Sequence, residues 1–408
     1  MSAPAPSSTP MTNRDRWHAV MAGFLGWTMD AFDFFVVVFM LSRLATDFHV
    51  TKAHIVLTMG FTLAMRPLGA LVFGLLADRY GRRRPLMANV VFFSVVELLC
   101  GFAPNFTVFL VLRALYGIGM GGEWGVGASL AMESAPPKLR GVLSGILQSG
   151  YSIGYLLAAV AARFVLPAWG WRPMFWLGGI PALLALYIRM HVRESEAWEQ
   201  HRAGSVGAIA KIVVKDWKRF AYLVLLMTLF MFLSHGTQDL YPDFLETVHH
   251  ATDAQKANIA MIYNVGAVVG AILFGLWSEK LGRRRAIVGA LLLSLVILYP
   301  WSFGSGLAML TVSAFVMQMG VQGAWGIIPA HLNELAADAV RGTVPGFAYQ
   351  LGILFASGVN SIEHGMASRL GYSGALLTFE LVNIILLAIV VTLGPEDHGR
   401  SFTRSVEG

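Results

Sequence analysis

The chain has 408 residues, of which 56% are hydrophobic and only 13% charged, where soluble domains carry roughly 25% charge. This composition belongs in lipid and excludes a sizeable soluble domain. A single cysteine, Cys100, excludes an internal disulfide framework and argues against a metal–cysteine site. The net charge of +6 suits a nucleic-acid binder in magnitude but not in distribution.

A bilayer core of about 30 Å needs about 20 apolar residues at ~1.5 Å each. Such stretches fall at 17–43, 53–77, 86–104, 106–133, 139–166 and 172–190, and again at 219–247, 255–277, 286–303, 306–332, 341–366 and 371–393. The chain therefore reads as an all-α integral membrane protein of twelve transmembrane helices. The first stretch is too long for a signal-peptide core and carries Asp30 and Asp33, so it reads as a retained helix. Residues 1–13, rich in Ser, Pro and Ala, read as a disordered tail. With the N-terminus placed in the cytoplasm, all but eight of the 30 Lys and Arg fall in the two tails and the even-numbered loops. The exceptions are Arg43, Lys52, Arg163, Arg172, Lys256 and Arg369 outside, and Arg66 and Arg113 within spans. That asymmetry predicts both termini on the cytoplasmic side of a bacterial-type inner membrane, so the basic balance is a topology signal.

Gly74-Leu-Leu-Ala-Asp78-Arg79-Tyr-Gly81-Arg82-Arg83-Arg84 recurs 201 residues later as Gly275-Leu-Trp-Ser-Glu279-Lys280-Leu-Gly282-Arg283-Arg284-Arg285. The same ungapped offset carries Trp124-Gly125 onto Trp325-Gly326, Glu133 onto Glu334, Arg140-Gly141 onto Arg341-Gly342 and Gly145 onto Gly346. The chain thus predicts two pseudo-symmetric six-helix bundles, an N-terminal one at 1–190 and a C-terminal one at 219–408, joined by a basic linker at 191–218. A solute path is expected between them. Asp78, Arg79, Arg82, Glu133, Arg140 and their echoes Glu279, Arg283, Glu334 and Arg341 place acids beside basic clusters at the cytoplasmic mouth. There they can latch one state of a rocking pair of bundles.

Ionisable groups at membrane depth cost at least ~2.5–3.5 kcal/mol each. The first half nonetheless holds Asp30, Asp33, Arg66, Glu97, Arg113 and Glu123. The offset turns Asp30 into Met231, Asp33 into Ser234, Arg66 into Ala267, Arg113 into Ala314 and Glu123 into Ala324, so these charges are not needed to build a half. Asp30 and Asp33 lie three apart on one helical face. Two close carboxylates in a low dielectric disfavour double ionisation and can load and release a proton. Arg113 and Arg66 can act as a switchable counter-ion or as a fork for a substrate carboxylate. On the seventh span, Ser234-His235-Gly-Thr237-Gln238-Asp239 is a dense polar face in which His235 and Asp239 are four apart. His235 can titrate near neutral pH, Gln238 can donate to a carboxylate, and Asp239 can fix the imidazole tautomer. Gln318 and Gln322 on the tenth span, with Gln148, Ser149 and Tyr151 on the fifth, line the cavity or bond across helices.

The loop motif at 74–84, its echo at 275–285 and Arg113-x-x-x-Gly117-x-Gly119 resemble the major facilitator superfamily. Within it, Trp27-Thr-Met-Asp30-Ala-Phe-Asp33, Arg66-Pro67-Leu68-Gly69, Gly119-Met-Gly121-Gly122-Glu123-Trp124-Gly125 and His235-Gly-Thr237-Gln238-Asp239-Leu240-Tyr241-Pro242 are similar to the sialate:proton symporter family of sialic acid transporters and lactate permeases. Ser234, His235, Thr237, Gln238 and Asp239 match the seventh-helix signature of the monocarboxylate permeases, whereas Met231 and Asp243 depart from its Asn and Thr. The resemblance implies that His235, Gln238, Asp239 and Arg66 handle substrate or proton. The expected function is proton-coupled symport of a small monocarboxylate such as lactate or pyruvate, or alternatively of sialic acid or a shikimate-like or aromatic acid. In that reading Asp33, with Asp30, accepts the proton beside Arg113 and Glu123, and Arg66 with His235 and Gln238 holds the carboxylate. The expected partners are an organic acid anion, a proton and membrane lipid, with no nucleic acid, cofactor or metal. No His-Glu-x-x-His or phosphate loop occurs in the sequence, so no enzyme is expected.

Overall fold

A computed structural model describes residues 11–201 and 205–403, and every regular element among them is helical. Thr12 opens the first helix, Asn13–Asp47, through a capping box: Asp15 N donates to Thr12 Oγ1 (3.2 Å) and Thr12 N to Asp15 Oδ2 (2.9 Å). The helix therefore starts ahead of the expected Trp17 and takes up the end of the tail read as disordered; residues 1–10 lie outside the described residues.

The remaining spans of the first bundle are Lys52–Tyr80, Arg83–Cys100, Phe106–Ser134, Arg140–Trp169 and a sixth broken into Arg172–Leu177 and Ala182–His191. The second bundle comprises Trp217–Gln238 continued by Tyr241–His249, then Asp253–Leu281, Arg283–Phe303, Leu307–Leu335, and Val344–Ala356 followed by Val359–Leu393. That last helix contains the end of the eleventh span and the whole of the twelfth, divided at Gly371, where φ is +72°. Among the described residues, ten stretches are long and apolar enough to cross a membrane. Arg83–Cys100 fails that criterion because its 18 residues include Arg83, Arg84 and Glu97, and Val344–Leu393 contains two crossings, which restores twelve. Large apolar side chains such as Val296 (77% exposed) and Leu393 (81%) face outward, a surface stable only against lipid.

The repeat is visible in backbone detail. Gly81 (φ +100°) ends the second span and Gly282 (φ +87°) the eighth, in conformations that favour glycine. Each turn is clasped by a glutamate that follows the last span of its own half. Glu194 accepts from Arg82 N (2.7 Å) and Arg83 N (3.2 Å), and Glu396 from Arg283 N (2.5 Å) and Arg284 N (3.3 Å). Burial pushes the Glu194 carboxyl above its ordinary range.

Within the first half, the second span packs on the fourth and the first on the fifth; within the second half, the eighth packs on the tenth and the seventh on the eleventh. Between halves, the fifth span meets the eighth and tenth, and the second and fourth meet the eleventh. Glycine permits the tightest of these crossings. A Cβ on Gly346 would lie 2.8 Å from Gly125 Cα, and one on Gly74 would lie 2.7 Å from Thr343 Cα.

Candidate functional site

Both tails and the linker lie at one end of the bundles. Met11 N donates to Glu196 (2.6 Å) and Arg400 to Asp338 (2.7 Å). At this tail face the repeated charges assemble into one buried network. Arg82 forks onto Glu133 (Nη2–Oε1 2.8 Å, Nε–Oε2 3.2 Å) and donates to Asp78 (2.7 Å). Its echo Arg283 forks onto Glu334 (2.9 and 3.0 Å) and donates to Glu279 (3.1 Å).

The halves then exchange partners. Arg140 of the first donates to Glu334 of the second (3.0 Å), and Arg341 of the second to Glu133 of the first (3.4 Å). Asp78 accepts from Gly342 N (2.7 Å), Thr343 N (3.0 Å) and Thr343 Oγ1 (2.6 Å), so it caps the eleventh span from the opposite half. Glu279 does the same for Gly141 N at the start of the fifth. Burial by itself depresses the Arg82 guanidinium, but Glu133 and Asp78 outweigh it and hold Arg82 above the ordinary arginine value. Arg79, expected in this group, has its guanidinium 5.3 Å from the Tyr80 ring centroid.

One member of this face was not legible in the motif. Phe402 of the C-terminal tail lies under Arg140 and Arg341, 3.7 and 3.8 Å from the two guanidinium carbons. Arg140 also donates to the Arg400 carbonyl (2.9 Å).

The mid-membrane groups of the first half are as buried but far less paired. Asp30, Asp33, Glu97 and Glu123 are all 0% exposed, Arg113 1% and Arg66 4%. Tyr116 Oη donates to Asp30 Oδ1 (3.3 Å), but neither oxygen of Asp33 or Glu123 has a hydrogen-bond partner. Nε and Nη2 of Arg66 have none either, and its guanidinium lies 5.9 Å from the Tyr349 ring centroid across the interface.

Arg113, expected beside Asp33, forms its ion pair with Glu97 and donates to Cys100 Sγ (3.1 Å); its charge reaches Asp33 without a direct hydrogen bond. The third span delivers this partner because Glu97 faces inward beside Gly178 of the sixth, where any side chain would strike both Glu97 and Asp33. Glu123 fills the equivalent notch opposite Gly26.

In the second half, the seventh span ends at Gln238 and resumes at Tyr241. His235 Nδ1 lies 3.1 Å from Asp239 Oδ2, which also accepts from Asn360 (3.1 Å). These two side chains keep 33% and 34% of their surface, so the halves stand apart at the end opposite the tails. Gln238 Nε2 donates to Gln318 Oε1 (2.9 Å), whose own amide donates to Thr237 (3.2 Å). Gln322 is buried nearby on the tenth span (6% exposed). Tyr151 stacks on Trp27 (5.5 Å) and stands within electrostatic reach of Tyr349, Asp239, Arg66 and Asp30. Arg66 likewise acts on His235. The two sets of polar residues therefore lie within electrostatic reach of one another across the bundles.

Two buried acids of the second half, Glu363 and Glu380, were not singled out from sequence. The offset test would have found them, since their first-half counterparts are Ala162 and Gly179.

Two repeated bundles of six helices, joined at one end by a buried charge network and carrying buried ionisable groups at mid-membrane, have the architecture of a membrane transporter. The model for the Major Facilitator Superfamily matches residues 23–248 and that for the sugar (and other) transporters residues 219–397. The chain belongs to the Major Facilitator Superfamily, a family of transporters and not of enzymes. It is 29% identical over 402 residues to a probable 4-methylmuconolactone transporter of Cupriavidus pinatubonensis, covering 96% of this chain and 92% of that protein. It is 28% identical over 398 residues to the sialic acid transporter NanX of Escherichia coli, covering 95% and 96%. The crystallised proton:xylose symporter XylE superposes with a TM-score of 0.74 at 19% identity, covering 95% of this chain and 98% of that one, which bears on fold alone.

Proposed function

We propose that the chain is a proton-coupled symporter of a small organic monocarboxylate, with both termini in the cytoplasm of a bacterial-type inner membrane. The observation that carries this reading is Arg66. It is a buried guanidinium with two nitrogens unpartnered, within electrostatic reach of His235 in the other half. A planar fork of that kind is satisfied by a carboxylate. His235 and Gln238 supply further donors from the second bundle, so bound substrate bridges the halves.

Charge balance supports proton coupling. At mid-membrane the first half buries four carboxyls, Asp30, Asp33, Glu97 and Glu123, against two arginines, Arg66 and Arg113. Carboxylates without partners at this depth cost several kcal/mol each, so protons make up the difference. Asp33, bare of hydrogen bonds beside the Arg113–Glu97 pair, is the acceptor, and Asp30 its neighbour one turn away. Moving an anion inward against a negative-inside potential costs about 2.3 kcal/mol per charge per 100 mV. One co-transported proton removes that cost. The sealed tail face and open opposite end correspond to a state ready to take substrate from outside.

A second reading, a bulkier organic acid as substrate, is favoured by the relatives that carry sialic acid and 4-methylmuconolactone. In proteoliposomes with an internal pH indicator, a panel of lactate, pyruvate, sialic acid and shikimate distinguishes the two. The expected result is internal acidification with lactate or pyruvate, lost by at least about tenfold in Asp33→Asn while substrate counterflow persists. Acidification driven only by the larger acids selects the second reading. Flux without acidification for every acid removes proton coupling.

A further inference from the structure

The seventh span carries Gly236 between two polar residues, His235 and Thr237. Its missing side chain leaves room for two carboxyls from the end of the chain. A Cβ at Gly236 would lie 3.1 Å from Glu363 Oε1 and collide with Glu380 Oε1. The two acids therefore converge on one point of backbone. Glu363 is 1% exposed and Glu380 0%, and none of their four carboxyl oxygens has a hydrogen-bond partner.

Among the described residues, no arginine or lysine is one of the charges that act on either residue. The groups that face them are Asp239, which acts on Glu363, and Tyr372, which Glu363 reaches and which donates to Asp243. His235 enters only through its contact with Asp239. A carboxylate withdrawn from water without a cation costs several kcal/mol, and two side by side cost more.

An independent observation points to the missing partner. Asn383, one turn beyond Glu380 and in side-chain contact with it, donates its amide to the Leu229 carbonyl (3.3 Å). That bond orients the amide and leaves Asn383 Oδ1, on a residue 4% exposed, as an acceptor with no donor. A carboxylate cannot satisfy it; a carboxylic acid O–H can.

We propose that Glu363 and Glu380 form a second proton-binding site, carried wholly by the C-terminal half and separate from the acids around Asp33. At least one proton is held between the two carboxyls. Its link to transport rests on the reading of His235 as a substrate contact. When a substrate carboxylate draws His235 away from Asp239, the unmasked Asp239 charge strengthens proton binding at Glu363. Substrate and proton then bind with positive linkage inside one half.

The test is infrared difference spectroscopy of the purified full chain in lipid nanodiscs, following the carbonyl stretch of protonated carboxyl groups as pH is raised, without substrate. Glu363→Gln and Glu380→Gln are each expected to remove a component that Asp33→Asn retains. Asn383→Leu is expected to shift that component without removing it, which keeps the test open if a glutamine variant fails to fold. The inference is overturned if none of the three variants alters the spectrum. It is also overturned if replacing choline with sodium abolishes the component, which would make the pair a sodium site. Since no substrate is present, failure here leaves the symport reading standing. Conversely, absence of acid flux with the infrared component intact refutes symport and leaves the proton site.

Discussion

Two belts of buried charge lie a few turns apart in this molecule and are treated in opposite ways. At the tail face Arg82, Arg283, Glu133 and Glu334 are all engaged, several in forked pairs, and Arg140 and Arg341 cross to the opposite half. At the waist Asp33, Glu123, Glu363 and Glu380 have no hydrogen bond, and Arg66 has two idle nitrogens. The first belt is duplicated by the internal repeat and the second is not. Duplicated charge holds the halves together in one state, because each half offers the partner that the other needs. Unduplicated charge is left for something that comes and goes.

The contrast breaks most visibly at Glu133. Glu133→Ala strips Arg82 of its fork and Arg341 of its cross-half acceptor. Orphaning a buried charge costs about 3–5 kcal/mol, which disfavours the tail-closed state by more than about a hundredfold. Pulsed electron-spin distances between labels at Lys138 and Ala339, on the two tail-face loops, are expected to lengthen. Unchanged distances would mean that the apolar and glycine contacts hold the face shut.

The waist is predicted to respond in binding and not in closure. Arg66→Ala removes charged hydrogen bonds of about 1.5–3 kcal/mol, so acid affinity falls roughly 10- to 150-fold with the tail-face distances unaltered. Isothermal binding of the transported acid reads this directly. A variant that opens the tail face instead would erase the distinction between the belts.

The smallest expected effect sharpens the geometric side. Gly346→Ala puts a methyl 2.8 Å from Gly125 Cα, an overpacking worth about 1–3 kcal/mol. It shifts the same label distances in the direction of Glu133→Ala, but to a lesser extent, and leaves acid affinity for the open state intact.

Much of this was legible beforehand. Hydropathy marked the spans because the bilayer sets their length, and the 201-residue offset marked the tail-face network because its members recur as Asp78/Glu279, Arg82/Arg283 and Glu133/Glu334. The offset also separated Asp33 and Arg66 as charges that folding does not require. It could not state who pairs with whom. Arg113 turned out to meet Glu97, because inward orientation on the third span depends on how that helix packs against Gly178. The break at Asp239–Leu240 was likewise hidden inside the expected seventh span.

By itself, then, the sequence determined a lipid-embedded, duplicated, twelve-span chain, since hydrophobic length and period are local properties that each segment expresses independently. Only the tertiary structure decided the swapped arginine–glutamate pairs, the clasp of Phe402 and the meeting of Glu363 with Glu380 at Gly236. Those depend on distances between residues far apart in the chain, and such distances come into being only when the helices have chosen their neighbours.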